Sequence, residues 1–260
     1  MKRGCTQCGE CLNVCPVYRR FKREEFSPKG KRALLEPLYS GLSDLSWAEA
    51  AKLSRLCAGC GKCALTCARK LSTADLLADV RAKNPHWTQH LWELWIRRLG
   101  PLWPSLGRIA DLIPDAVTPG ALRSSLLTAR ALVNPPEEEP WARLERDPAF
   151  PFTPERVIVF AGCTANNVRP AWREKAVHLL RIWGHEVLDA SGFTCCGATM
   201  HHAGQYAAMR DMRAANAAHW RALGKPRLAV FCASCFHGLA GYGADALGQD
   251  AATWQRSLTP

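Results

Sequence analysis

The stretch Cys5-Thr6-Gln7-Cys8-Gly9-Glu10-Cys11-Leu12-Asn13-Val14-Cys15-Pro16 decides how this chain is read. Its cysteines fall as C-x2-C-x2-C-x3-C, and Cys57, Cys60, Cys63 and Cys67 repeat that spacing. Three thiols at i, i+3 and i+6 wrap one corner of a cubic cluster. The fourth lies too far round the chain to cap the same cube, and in two-cluster ferredoxins it ligates the other one. The spacing therefore assigns Cys5, Cys8, Cys11 and Cys67 to one [4Fe-4S] cubane, and Cys57, Cys60, Cys63 and Cys15 to a second. Pro16 turns the chain away after Cys15. Ala68 stands at the matching place after Cys67, which loosens that turn but removes no ligand. Gly9, Gly59 and Gly61 allow backbone N–H groups to approach the cluster sulfurs. Zinc prefers separated cysteine pairs, often with histidine, and neither motif contains a histidine.

The remaining five of the thirteen cysteines form a different set, C-x31-C-C-G-x34-C-x2-C: Cys163, Cys195, Cys196, Cys232 and Cys235. Adjacent thiols cannot bind one iron of a cube without strain but can bind neighbouring irons. Five ligands also exceed the four positions of a cubane, so a more open cluster is expected, with one iron able to face a substrate sulfur. The alternatives are a thioredoxin-like dithiol at Cys232-Ala233-Ser234-Cys235 and a zinc site. His201 and His202 follow Gly197 closely and are candidates for a cluster edge, a proton path or plain solvent exposure.

Cys163, Cys195-Cys196-Gly197 and Cys232-Ala233-Ser234-Cys235 resemble the CCG (cysteine-rich) domain of heterodisulfide reductase subunits, glycolate oxidase iron-sulfur subunits and anaerobic glycerol-3-phosphate dehydrogenase subunits. The first module resembles the ferredoxin-like domain that opens respiratory iron-sulfur subunits. There an insertion separates the two motifs, as 41 residues do here between Cys15 and Cys57. The Trp-rich middle of the chain is outside the resemblance. What the resemblance implies is a non-cubane [4Fe-4S] cluster on Cys163, Cys195, Cys196, Cys232 and Cys235 that cleaves a disulfide by one-electron steps, which would make those five residues catalytic through the cluster. Many such proteins carry two facing CCG repeats. This chain has one and ends 25 residues after Cys235, so the expectation is that a partner, or a second copy of the chain, supplies the other half, or that the cluster works alone.

An odd cysteine count in tight clusters argues against a disulfide framework. The opening residues contain no apolar stretch of a secretory signal, and no run of 18 apolar residues exists. The expected location is the cytoplasm or the cytoplasmic face of a membrane, with no transmembrane span. The formal charge of +11 is reduced by cluster binding, since a four-iron cluster with four thiolates carries roughly two negative charges. Arg19, Arg20, Lys22, Arg23, Lys29, Lys31 and Arg32 concentrate the positive charge. With no aromatic platform or groove-reading motif nearby, nucleic acid is not expected as a partner. The run reads as a solvated basic loop that offsets the clusters or docks an acidic partner.

Three regions are expected: residues 1–75, a mostly helical domain for two [4Fe-4S] clusters; 76–150, a helical Trp-rich connector and linker; and 151–260, a single parallel α/β CCG domain. Asn134-Pro135-Pro136-Glu137-Glu138-Glu139-Pro140 is the linker candidate. In the middle, Leu91, Trp92, Trp95, Ile96 and Leu99 share a helical face, read as packing or as a docking surface. His86 and His90, one turn apart, read as surface residues for want of a third ligand. In the last region, strands at 157–160, 186–188 and 228–231 alternate with helices at 170–183 and 204–222. That order gives an α/β sheet with the cysteines at the carboxyl ends of strands, where such folds place ligands.

The function expected is that of an iron-sulfur oxidoreductase subunit, heterodisulfide-reductase-like. It passes electrons through two cubanes to or from the five-cysteine cluster, which reduces a disulfide-type substrate. The alternative is a pure electron-transfer subunit of a flavin-dependent dehydrogenase of the glycolate, lactate or glycerol 3-phosphate type, feeding quinone or another carrier. Gly238, Gly241 and Gly243 do not form a dinucleotide fingerprint, so FAD is expected only on a partner subunit. The partners expected are a flavin or membrane redox subunit and a second CCG half.

Overall fold

The computed structural model describes residues 4–98, 100–114, 123, 126–127, 129–130 and 153–260. The linker candidate 134–140 lies outside the described residues, as do Leu99 and the side chains of Leu91, Trp92 and Trp95. Two compact units are present: residues 1–93 with 199–209, and residues 94–198 with 210–260.

In the first unit the two cysteine motifs fold alike. After the first cysteine of each, the chain turns through a left-handed residue, Gln7 (φ 59°) or Gly59 (φ 67°), and it does so again at Gly9 and Gly61. A five-residue helix follows, α1 (Glu10–Val14) or α5 (Lys62–Thr66), and the fourth cysteine ends it in extended backbone. Helices this short do not hold by propensity; α1 and α5 pack on each other.

Between the motifs, α2 (Pro16–Phe21) starts on Cys15 with Pro16 at its first position, where a missing N–H is no loss. Next comes α3 (Pro28–Tyr39), capped by Ser27, whose Oγ accepts from Gly30 N at 2.7 Å. A Cβ on Gly30 would lie 2.4 Å from the Glu24 carbonyl oxygen, so only glycine fits beneath this cap. α4 (Trp47–Ser54) opens on a reciprocal Ser46–Glu49 capping box, and Ser72 caps α6 (Thr73–Lys83). Leu35, Ala50, Leu77 and Val80 from α3, α4 and α6 form the core, and Cys57 packs against it.

The basic run is not a single solvated loop. Arg19, Arg20, Lys22 and Arg23 are exposed. Lys31 and Arg32, in contrast, keep 2% and 9% of their surface, because they lie in α3 where it turns into the unit. The expectation fails for these two residues because a charge count along the chain does not register which face of α3 each side chain takes.

Beyond α6 come α7 (Trp87–Arg97) and α8 (Trp103–Asp111). The second unit carries β1 (Arg156–Val159), α9 (Gly162–Asn167), α10 (Pro170–Ile182) and β2 (Glu186–Val187). After α11 (Ala198–His202) and α12 (Tyr206–Ala222) follow β3 (Arg227–Ala229), α13 (Ala233–Ala240), α14 (Ala244–Leu247), α15 (Ala251–Ser257) and β4 (Leu258–Thr259). The sheet is all parallel in the order β2-β1-β3-β4. Ile158 and Leu228 of its strands, with Phe160, Trp220, Leu239 and Trp254 from the segments around it, are among the most buried large residues of this unit. The mostly helical first part and the parallel α/β last part are as the sequence leads one to expect; β4 is an addition.

Candidate metal centres

In the first unit, Cys5, Cys8, Cys11 and Cys67 line one recess together with Lys29, Arg32 and Arg69. Cys15, Cys57, Cys60 and Cys63 line another, whose walls are otherwise mostly apolar and whose one charged residue is Lys31. Cys63 borders both recesses. Cys8 and Cys60, the middle thiols of the two motifs, are exposed, and the other six are half-buried. Among the described residues no three His, Cys, Asp or Glu side chains gather closely enough to hold a single ion. A cubane differs from a lone ion in distributing its thiolates over separate irons.

Backbone N–H groups point at these sulfurs. Gln7 N and Gly59 N each donate to the Sγ of the cysteine two residues earlier at 3.4 Å, and Tyr18 N donates to Cys15 Sγ at 3.4 Å. Burial pushes the Cys57 thiol up, against the Gly59 N–H and the charges of Lys31 and Arg81. Burial, then the neighbouring Cys63 and Cys5, pushes Cys11 up to about 11. Cys67 is pulled down by backbone donors, Leu71 first, and by Arg32. Metal ligation requires thiolates, so loading iron displaces a proton from each of these groups.

The surrounding residues hold the motifs in place. Glu36 of α3 accepts from Cys5 N at 3.0 Å and pairs with Arg32, while Arg69 donates to the Gly4 carbonyl. Arg81 donates to Ser54 Oγ and to the carbonyls of Ser54 and His202. The His202 ring lies 3.1 Å from where a Cβ on Gly59 would stand, so a side chain here would require that ring to give way. His201 pairs with Asp75 at 3.0 Å. The two histidines therefore brace the first unit rather than facing open solvent. His86 and His90 are exposed.

In the second unit the thiols of Cys163, Cys195, Cys196 and Cys235 sit side by side in that order. Cys163 follows β1, the Cys195-Cys196 pair lies in the loop after β2, and Cys235 lies in α13 after β3. Cys232 is the half-buried N-cap residue of α13. At Cys195 the contact from Cys163 lowers the pKa, but the contact to Cys196 and burial outweigh it and bring the thiol to about 12. Cys196 is likewise held near 12, and Cys163 is raised, first by its contact with Cys195 and then by burial.

Several residues that the sequence did not single out shape this site. Gly162 (φ 73°) has space for no side chain, because its Cβ would stand 2.6 Å from Cys235 Sγ. A Cβ on Gly238 would lie 3.1 Å from Cys196 Sγ. Fully buried Asn216 accepts from Thr194 N at 2.8 Å and donates to the Cys195 carbonyl at 3.0 Å and to Tyr242 Oη at 2.9 Å. Tyr242 in turn donates to the Cys196 carbonyl at 3.3 Å and stacks on Trp254. This network fixes the backbone of the adjacent cysteines. Its only sequence signal is the presence of polar residues in otherwise apolar helical and loop segments.

Comparison with known proteins agrees with this division. Residues 2–71 match the family described as 4Fe-4S dicluster domain, and residues 157–240 match the cysteine-rich domain. The chain is thus an iron-sulfur protein that joins a 4Fe-4S dicluster domain to a cysteine-rich CCG domain. It is 24% identical over 241 residues to a probable glycolate oxidase iron-sulfur subunit of Bacillus subtilis, covering 85% of this chain and 54% of that protein. It is 25% identical over 237 residues to one subunit of the fumarate reductase (CoM/CoB) of Methanothermobacter marburgensis, covering 90% of this chain and 42% of the relative. The chain thus spans about half the length of these relatives. No solved structure matches. Among the described residues no helix is long and apolar enough to cross a membrane.

Proposed function

We propose that this protein is an oxidoreductase subunit in which two [4Fe-4S] cubanes, one on Cys5, Cys8, Cys11 and Cys67 and one on Cys57, Cys60, Cys63 and Cys15, relay electrons to or from a non-cubane cluster on Cys163, Cys195, Cys196, Cys232 and Cys235. The observation that carries this reading is the grouping of thiols: two cysteine recesses in the first unit and a contiguous row of four more at the carboxyl ends of the strands in the second. The clusters supply one-electron chemistry, and the protein supplies position, N–H···S donors and burial.

In this reading the five-cysteine site reduces a disulfide-type substrate. Two electrons and two protons convert one disulfide to two thiols, with the electrons arriving singly from a low-potential donor. Exposed Cys8 and Cys60 mark where the cubanes come nearest the surface. Flavin, where used, sits on a partner subunit, and the partner or a second copy of the chain supplies a second CCG half. The cytoplasm, or the cytoplasmic face of a membrane, is the proposed location. The three-part division at residues 75 and 150 is part of the same proposal.

A second reading makes the third cluster a wire in a flavin-dependent dehydrogenase that feeds quinone or another carrier. Burial of Cys195, Cys196 and Cys235 favours it, as does the relative named as a probable glycolate oxidase iron-sulfur subunit. Anaerobic incubation with a disulfide and a low-potential donor separates the two. Thiol release at a rate matching cluster reoxidation is expected for the first; fast reduction of all clusters without thiol release would leave the second.

A further inference from the structure

Lys31 and Arg32 are consecutive, buried and cationic, yet they serve different recesses. Successive residues of a helix point about 100° apart, so α3 presents Lys31 to the Cys15, Cys57, Cys60 and Cys63 recess and Arg32 to the Cys5, Cys8, Cys11 and Cys67 recess. Lys31 Nζ donates to the Phe26 carbonyl at 2.6 Å. Burial lowers the Lys31 pKa, against the opposing pull of Cys57, Cys15 and Cys63, all members of the second ligand set, and then of Glu25. Arg32 donates to Thr73 Oγ1 at 3.2 Å and to the Ser72 carbonyl at 2.7 Å, and it acts on Cys67 of the first set.

The two cations differ in how they are balanced. Arg32 is ion-paired with Glu36. Among the described residues Lys31 has no carboxylate within ion-pair distance, and it is the one charged residue lining its recess. A buried cation without an ion-paired carboxylate is costly on its own; the Phe26 carbonyl, the more distant Glu25 and the cysteines facing Lys31 are the groups that meet it. The Ser27 cap, Pro28 and the tight approach at Gly30 fix the turn that aims it there.

We propose that Lys31 is a positioning residue that raises the reduction potential of the cluster on Cys57, Cys60, Cys63 and Cys15 without acting on the other cubane, while Arg32 acts in the same way on the cluster of Cys5, Cys8, Cys11 and Cys67 and is muted by Glu36. The inference rests on the ligand sets proposed above. Reduction adds one negative charge to a cluster, and a fixed cation in a low-dielectric wall favours the form with more negative charge. When an electron passes between the cubanes, one is oxidised and the other reduced by one electron, and no bond or proton changes. Lys31 therefore biases where that electron rests. The electron itself comes from a low-potential one-electron donor.

The test is an EPR-monitored redox titration of the anaerobically purified full chain with dithionite. Cys60→Ser and Cys8→Ser assign the two cubane signals, since each removes a ligand from one set only. In Lys31→Met the signal altered by Cys60→Ser is expected to titrate at lower potential while the other stays in place. Lys31→Arg restores the wild-type midpoint, and Arg32→Gln moves only the signal altered by Cys8→Ser. Lys31→Gln gives the same reading should the methionine variant fail to load iron. Two cubane signals that shift together, or that neither lysine variant moves, would overturn this inference alone. Absence of paired cubane signals in the wild-type chain would overturn the ligand assignment, and the inference with it.

Discussion

Asn216 is fully buried and ties the backbone of the adjacent cysteines to two other segments of the second unit. Its side chain bonds to Thr194, the Cys195 carbonyl and Tyr242, so truncation removes a hydrogen bond from each. Asn216→Ala is expected to cost about 1–3 kcal/mol in urea unfolding and to broaden or abolish the third cluster's signal while sparing both cubane signals. Gly162→Ala makes a sharper case, because a methyl group 2.6 Å from Cys235 Sγ cannot coexist with that sulfur in its present position. Loss of roughly four iron per chain, with the cubane signals retained, is the expected result of iron analysis; a full iron complement would show that the site tolerates the shift. Among these residues the cysteines were legible in the sequence because metal ligation imposes a spacing. Asn216, Tyr242 and Gly162 were not, because they act across space on residues 21, 46 and 73 positions away, and one sequence holds no trace of such pairs.

At the scale of the elements, α3 is the part whose role the sequence concealed. Its N-terminal signals, Ser27, Pro28 and Gly30, mark a helix start that a reading focused on charge passes over, and two of its cations end up inside. Ser27→Ala removes the cap on Gly30 N and is expected to cost about 1 kcal/mol, read as a lower denaturation midpoint of the anaerobic protein. An unchanged midpoint would mean that packing alone holds the turn. In the second unit, β1, β3 and the helices α10 and α12 were legible because apolar runs and helical spacing persist long enough to show themselves, and the two-residue β2 was legible only from its place between those helices. β4 has only Leu258 and Thr259, too short to show one, and is defined by its pairing with β3. The Trp-rich segment showed its helix, Trp87–Arg97, but not what that helix meets.

For the whole molecule, the segment Thr199–Met209 joins residues 1–93 in one compact unit although it follows Cys195-Cys196-Gly197 in the chain. A partition along the sequence cannot express this, since His202 reaches Gly59 and Tyr206 reaches Asp79 only in three dimensions. The cysteines of the two repeated motifs nonetheless all belong to the first unit, and the other five all belong to the second. Cys196→Ala is accordingly expected to alter the third cluster's signal and leave both cubanes intact; loss of the cubane signals in that variant would contradict this division. The central claim is that all thirteen cysteines hold iron in three clusters, and iron and sulfide analysis with EPR on anaerobically purified protein tests it most directly. About 12 iron and about 12 sulfide per chain, with two cubane signals and a third distinct one, are expected; about 8 iron, or zinc in place of iron, would contradict it.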